Sequence, residues 1–299
     1  MTSKPLKTFN DLLHQNWPVR KAKSIRNRLV EGNFRSHGVV DGLSFAESLQ
    51  RTGSRRFCFT IAFNTPWVID ALTRAWQLYA SGMTLVVIDN SSSQPARKII
   101  EDICRARGVA YFGLPRNRET NPNRSHGIAM NWAFHNIVRH LRPELFGFLD
   151  HDCFPVAAVD IPKLMEAKVV YGSKWPAKRG LEGWFLWAGL CFYRFSAVQG
   201  LDMDFTPRFE RGMDTGGGNW PLLYRQLDPG DVATVDRKAV GLQLDGVEAD
   251  YRMLGDIFFH VRGASHRKSI DTKRYRRLMS DHLWETYLGG GDGRLVRDF

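Results

Sequence analysis

Between Phe57 and Asp152 the chain alternates apolar runs of strand length with stretches whose apolar residues recur every three or four positions. Phe57-Cys58-Phe59-Thr60-Ile61-Ala62-Phe63 closes at Asn64-Thr65-Pro66. Pro66 suits the first turn of a helix carrying Val68, Leu72, Ala75, Trp76 and Tyr79 on one face. A second strand, Thr84 to Ile88, ends in the capping-rich loop Asp89-Asn90-Ser91-Ser92-Ser93. Ile99, Ile100, Ile103 and Cys104 then mark a helix that Gly108 closes. Val109 to Leu114 is a third strand, Ile128 to Leu141 a helix, and Leu145 to Leu149 a fourth strand running into Asp150-His151-Asp152. This alternation predicts an α/β fold with a mainly parallel sheet flanked by helices, because parallel neighbours need crossover connections. Ligands of such sheets bind beyond the carboxyl ends of the strands, where Asn64, Asp89 and Asp150 stand. Neither G-x-G-x-x-G nor G-x-x-x-x-G-K-S/T occurs, which disfavours dinucleotide and P-loop folds.

The 299 residues suffice for one large α/β domain, and 43% of them are hydrophobic, enough to fill its core. The pattern divides the chain into an N-terminal extension (1–54), a catalytic domain (55–261) and a basic C-terminal tail (262–299). Within the domain, 55–155 reads as a nucleotide-binding half. From 156 to 261 the pattern loosens into Val169 to Gly172, Trp184 to Tyr193 and glycine-rich turns, and there an acceptor region is expected.

The formal charge of +11 asks for an acidic partner. Lys4 to Arg35 and Arg262 to Arg277 carry much of it, with no zinc-finger or RNA-binding motif beside them, so nucleic acid is not the expected partner. No apolar run reaches the roughly 18 residues of a membrane span. The N-terminus carries no secretory stretch, so a cytoplasmic location is expected, with the inner membrane face as a peripheral site. Cys58, Cys104, Cys153 and Cys191 lack C-x-x-C spacing and read as buried reduced thiols.

The chemistry centres on Asp150-His151-Asp152. Phe146-Gly147-Phe148-Leu149 precedes the motif and Cys153-Phe154-Pro155 follows it, so the two carboxylates project from the end of a buried strand. Such a pair grips a hard divalent cation, Mn²⁺ or Mg²⁺, that keeps positions for phosphate oxygens. His151 between them is expected to point to the opposite face.

Phe57 to Asn64, Leu85 to Ser93, Asn117 to Asn131 and Phe146 to Pro155 together resemble the GT-A glycosyltransferases, particularly the inverting, family 2-like enzymes. The resemblance covers roughly residues 57–155. It implies a hexosyl transfer from a nucleotide-diphosphate sugar donor to a hydroxyl of an acceptor carbohydrate or lipid-linked saccharide. By the same likeness Asn64 and Asp89 hold the nucleoside, and Asn117 and Asn131 belong to the asparagine- and glycine-containing stretch before the metal strand. A late histidine serves many members as a further metal ligand, and His260 in Phe258-Phe259-His260-Val261 matches it. The inverting reaction also needs a base some tens of residues past the metal motif. Asp214, held among glycines in Gly212-Met213-Asp214-Thr215-Gly216-Gly217-Gly218-Asn219, fits best, with Glu182 and Glu210 as rivals. Trp184, Trp187 and Trp220 are candidates for stacking on a sugar, and Trp184 is the one assigned to substrate binding.

Two alternatives remain. A nucleotidyltransferase shares the alternating pattern but opens with a glycine-rich phosphate loop, where this chain has Asn64-Thr65-Pro66-Trp67. A non-catalytic protein binding nucleic acid or an anionic surface would suit the charge, yet leaves the acids at the strand ends without a role. In the tail, Ile270, Tyr275, Leu278, Met279, Leu283 and Trp284 describe one apolar helix face opposite a basic one. That helix either lies on an anionic membrane or packs on the domain and offers Arg262 and Lys268 to the donor diphosphate. Intramolecular packing is the favoured expectation.

Overall fold

Two helices, α1 (Trp17–Ser36) and α2 (Val39–Gln50), precede the first strand, β1 (Arg56–Ala62). The computed structural model describes residues 17–261 and 272–297. From β1 the chain alternates as expected through α3 (Pro66–Tyr79), β2 (Thr84–Asp89), α4 (Gln94–Arg107), β3 (Ala110–Gly113), α5 (Pro122–Ala133) and β4 (Leu145–Leu149). Local chemistry sets the boundaries. Pro66 sits in the first turn of α3, Ser93 Oγ accepts from the Ala96 N–H at the start of α4, and Gly108 closes α4 at φ +66°. α5 begins at Pro122 rather than near Ile128, because the Asn121 side chain caps the Arg124 N–H and Pro122 pre-sets the first turn. The helix runs on through a π turn, Phe134–Val138, and ends where Arg142 turns left-handed.

β1 pairs in parallel with β2 and with β4, and β2 with β3. After β5 (Cys153–Pro155), the strands β6 (Val170–Pro176), β7 (Trp184–Arg194) and β8 (Val232–Thr234) extend the same sheet. Its order is β8-β6-β7-β4-β1-β2-β3, with β7 reversed against its neighbours. The half that looks irregular in sequence therefore contributes three strands to the main sheet. Both faces are covered, which is why β1, β2 and β4 read as unbroken apolar runs. Phe57, Phe59 and Ile61 share one core with α5 and with Phe34, Ala46 and Leu49 of the N-terminal helices. Cys58 and Leu85 share the other with α3. Residues 17–50 thus pack as part of the domain: Trp132 Nε1 donates to the His37 carbonyl at 2.8 Å, and Asn136 Nδ2 to that of Arg35 at 3.0 Å. Gly147 is required by this packing, since a Cβ there would lie 2.0 Å from Phe192 Cδ1 on β7.

A second sheet is antiparallel and built from β9 (Arg237–Leu244), β10 (Val247–Leu254), β11 (Phe258–His260) and β5. β5 directly follows Asp150-His151-Asp152, so the strand beside it, β11, is brought to the end of β4. Beyond the second sheet, α6 (Thr272–Thr286) buries Tyr275, Met279, Leu283 and Trp284 in the core that holds α3. The favoured packing of the tail helix is therefore what the fold adopts, and its apolar face is not available to a membrane. Arg262, His266 and Lys268 lie outside the described residues. Asp70 of α3 anchors the chain beyond α6: fully buried, it accepts from Arg107 Nη2 at 2.6 Å and from the N–H groups of Leu295 and Val296 at 2.6 and 3.0 Å. All four cysteines are buried and unpaired, and burial pushes the Cys104 and Cys191 thiols up to about 12.

Candidate active site

β4 ends at Asp150, whose N–H donates to the Gly189 carbonyl of β7 at 3.0 Å. The chain then turns tightly, with the Cys153 N–H donating to the Asp150 carbonyl at 2.9 Å and His151 N–H to Asp150 Oδ1 at 3.0 Å. This turn cancels strand alternation, so His151 does not leave for the opposite face as expected. It lines the same cavity as its two neighbours, with Nδ1 3.0 Å from the Ile61 carbonyl at the end of β1. A carbonyl can only accept, so Nδ1 carries the proton, and Nε2 is buried with no hydrogen-bond partner among the described residues.

The antiparallel pairing of β11 with β5 sets His260 opposite Cys153. The Val261 N–H donates to the Asp152 carbonyl at 2.9 Å, and His260 Nε2 lies 3.2 Å from Asp152 Oδ1. Ligand atoms of Asp150, Asp152 and His260 all fall within 4.8 Å of one another. Asp152 and His260 are buried, while Asp150 is partly open to the cavity.

The cavity around this triad has a volume of about 410 Å³. Among the described residues its wall carries three carboxylates, Glu119, Asp150 and Asp152. Glu119 has a partner outside the wall, Arg124 Nε at 3.2 Å. Burial pushes its carboxyl up, but the Asn121 and Thr120 N–H groups and Arg124 outweigh that and hold it below the usual range. Two carboxylates, Asp150 and Asp152, with the His260 imidazole in a shared, largely buried corner are a donor set suited to a hard or borderline divalent ion. His126, also in the wall, is made less basic by burial, against the pull of Asp150. Asn90 donates to Ser125 Oγ at 3.1 Å and leaves its side-chain oxygen buried at the cavity without a partner among the described residues.

An adjoining cavity of about 590 Å³ shares Phe63, Asn90, Glu119, Thr120 and Ser125 with the first and adds Arg97, Arg116 and Asn117. The two form one cleft along the carboxyl ends of β1, β2 and β4. Asn117 lines it while bonding Ser125 through Nδ2 at 3.1 Å. Asn64 and Asp89 shape the cleft from behind instead of facing into it. Asn64, at φ +52°, accepts from the Ser92 and Ser93 N–H groups at 3.1 and 3.0 Å. Asp89 is fully buried, accepting from the Ser91 N–H at 2.7 Å and from the Tyr111 hydroxyl at 3.0 Å.

Two further expectations are relocated by the fold. Asn131 is buried away from the cleft, donating to Glu31 and to Asp204 and accepting from the Phe205 N–H at 2.7 Å. Trp184 stacks on Tyr224 with ring centroids 4.9 Å apart and lies under Lys174, whereas Trp187 enters the cavity with its ring 4.7 Å from that of His260. The cause is a register break between β6 and β7, where Gly172 pairs with Cys191 but Lys174 with Leu186. Residues between those partners leave the regular pleat, and period-two reasoning fails for them.

Asp214 occupies a turn stitched to both walls of the cleft. Thr215 Oγ1 donates to the Asn123 carbonyl at 3.0 Å, and the Ala188 N–H to the Thr215 carbonyl at 3.3 Å. Gly216 adopts φ +99° with Leu186 O 2.4 Å from where its Cβ would be, so only glycine permits this close approach. Asp214 is half-buried, its Oδ1 accepts from the Thr215 N–H at 2.8 Å, and its charge acts on His126 together with those of Asp150 and Asp152. Neither Asp214 nor the rivals Glu182 and Glu210 line either cavity, but the rivals are exposed whereas Asp214 is half-buried in the turn that bonds Asn123 and Ala188 of the cleft walls.

No protein-family model matches the sequence, and no curated protein does. Among solved structures the chain is similar to S. aureus TarS, with 17% identity over 50% of this chain and 30% of that one at a TM-score of 0.35. It is similar to the mannosyltransferase PcManGT from Pyrobaculum calidifontis, solved with GDP-Man and Mn²⁺, with 9% identity over 58% and 57% of the two chains at a TM-score of 0.36. A third is the galactosyltransferase LgtC, solved with donor and acceptor sugar analogues, at 12% identity, 60% and 73% coverage and a TM-score of 0.41. The chain thus spans less than two thirds of the length of the first two. These partial overlays assign no residue of this chain a role.

Proposed function

We propose that the cleft transfers a sugar from a nucleotide-diphosphate donor to an acceptor hydroxyl, in the manner of a GT-A glycosyltransferase. The observation that carries this reading is the Asp150–Asp152–His260 triad at a sheet's carboxyl edge, its ligand atoms within 4.8 Å of one another in the wall of a cavity. Asp150, Asp152 and His260 would hold Mn²⁺ or Mg²⁺, which when bound neutralises charge on the departing diphosphate. The adjoining cavity suits the nucleoside, with Asn117 in its wall and with Asn64 and Asp89 fixing the loop at 90–93 that borders it. Trp187 offers a ring face for a sugar beside the triad.

Asp214 is assigned as the base. The acceptor oxygen bonds to the anomeric carbon, the bond from that carbon to the diphosphate oxygen breaks, and the acceptor proton passes to the Asp214 carboxylate. The attack would come from the face opposite the leaving group, giving inversion. Burial makes the His126 imidazole less basic beside the acids. The test is thermal stability with UDP, GDP and dTDP, each with and without Mn²⁺. At a hundredfold excess over Kd a nucleotide should stabilise the fold by about 2.7 kcal/mol, and only when metal is present. Stabilisation that ignores EDTA, or none with any nucleotide, would overturn the reading.

A further inference from the structure

The solvent face of α1 combines two properties that seldom occur together on a free surface. Between Trp17 and Val30 the sequence holds Arg20, Lys21, Lys23, Arg26 and Arg28 and no acidic residue. Within that stretch Ile25 and Leu29, one helical turn apart, are 52% and 68% exposed. At 3.6 residues per turn they occupy the middle of the exposed face. Lys21 and Arg28 flank them on one side and Arg26 on the other, all three exposed. The opposite face is anchored, with Phe34 in the core and Glu31 bonded to Asn131. Val40, at the start of α2, adds another large apolar side chain at 74% exposure.

We infer that α1 docks this protein on an anionic lipid surface, with Ile25 and Leu29 entering the headgroup region and the flanking bases paired with lipid phosphates. Charge complementarity selects the partner: a helical stretch that holds bases and no acid from Trp17 to Val30 seeks an anionic surface, and the apolar centre between the bases distinguishes a bilayer from a nucleic acid. A nucleic acid would have phosphates at the centre of the contact, where Ile25 and Leu29 stand. The other basic helix is excluded by its packing, because α6 has already buried its apolar face in the domain, and its exposed side chains, Lys273, Arg274 and Arg277 among them, are polar. Among the described residues no helix is long and apolar enough to cross a membrane, so the contact is one of lying on the surface.

Flotation of the full chain with phosphatidylcholine vesicles, with and without phosphatidylglycerol, tests this directly. The chain should float with the anionic vesicles only. The double variant Ile25→Glu/Leu29→Glu and the double variant Arg26→Glu/Arg28→Glu should each lower the bound fraction at least tenfold. Lys273→Glu/Arg277→Glu on α6 should leave it unchanged. All altered side chains are exposed, and unchanged circular dichroism and melting would exclude misfolding. No flotation overturns the inference, as does loss in the α6 variant alone. Binding that survives Ile25→Glu/Leu29→Glu but is displaced by heparin would show simple adherence to polyanions and would also overturn it. So would a concentration-dependent dimer abolished by that variant, which would make a second copy the occupant.

Discussion

His260 Nε2 lies 3.2 Å from Asp152 Oδ1, and the next residue along, Val261, donates its N–H to the Asp152 carbonyl at 2.9 Å. One antiparallel strand pair therefore delivers the third member of the triad to the end of β4. The site depends on the second sheet as much as on the first, and its chemistry can be separated from its scaffold by substitution.

Asp152→Asn should abolish metal-dependent nucleotide binding while the fold persists, because the carboxylate is replaced by a near-isostere that cannot carry its charge. Calorimetric titration of UDP and GDP with Mn²⁺ reads the binding, and circular dichroism the fold. His260→Ala should weaken metal affinity without removing it. Wild-type turnover by Asp152→Asn in EDTA would refute the metal assignment.

Asp214→Asn should leave nucleotide binding near wild type and reduce turnover by about 10²–10⁴-fold, the usual contribution of a general base. An equal loss of donor affinity would place Asp214 in the donor site instead. Turnover that is unchanged would remove it from the reaction.

Asp70→Ala should cost about 3–5 kcal/mol, since it removes the buried carboxylate that pairs with the Arg107 guanidinium and accepts from two backbone N–H groups. Urea unfolding measures the loss. A change below about 1 kcal/mol, the range of surface pairs, would mean that the buried anchor is not formed.

Stability should fall as pH rises above the ordinary glutamate range, through Glu31. Burial, with Asp204 adding repulsion, raises its carboxyl above 4.5 despite the Asn131 hydrogen bond. A raised folded-state value means that the folded chain holds the proton more tightly, so this contribution is complete below 4.5 and lost as pH climbs through the folded value. Glu31→Gln should therefore raise Tm at neutral pH and converge with wild type in acid. Melting curves of the two chains that stay parallel across pH would rule this out.

Much of the alternating fold between Phe57 and Asp152 was legible in the residues themselves. Apolar runs of strand length, Pro66, the Ser93 cap and Gly108 are local signals, and each acts within a turn or a single strand. The paired acids after β4 could be found the same way, because a buried strand followed by Asp150-His151-Asp152 says where the carboxylates emerge. His260 was found by likeness and by its place after an apolar pair, but nothing local says that β11 will pair with β5. Side-chain direction was harder. Trp187 rather than Trp184 enters the cavity, and His151 joins the acids, because a register break and a tight turn override the alternation that sequence reasoning assumes. Asp89 and Asn131 bear the residue types of a ligand site, yet backbone N–H groups nearby claim their side-chain oxygens. What the sequence determined by itself was the order of elements and the presence of a carboxylate pair, since both arise from short-range sterics, capping and burial. Which polar groups remain open to a ligand was decided only in the tertiary structure, because that depends on which partners long-range packing brings within hydrogen-bond reach.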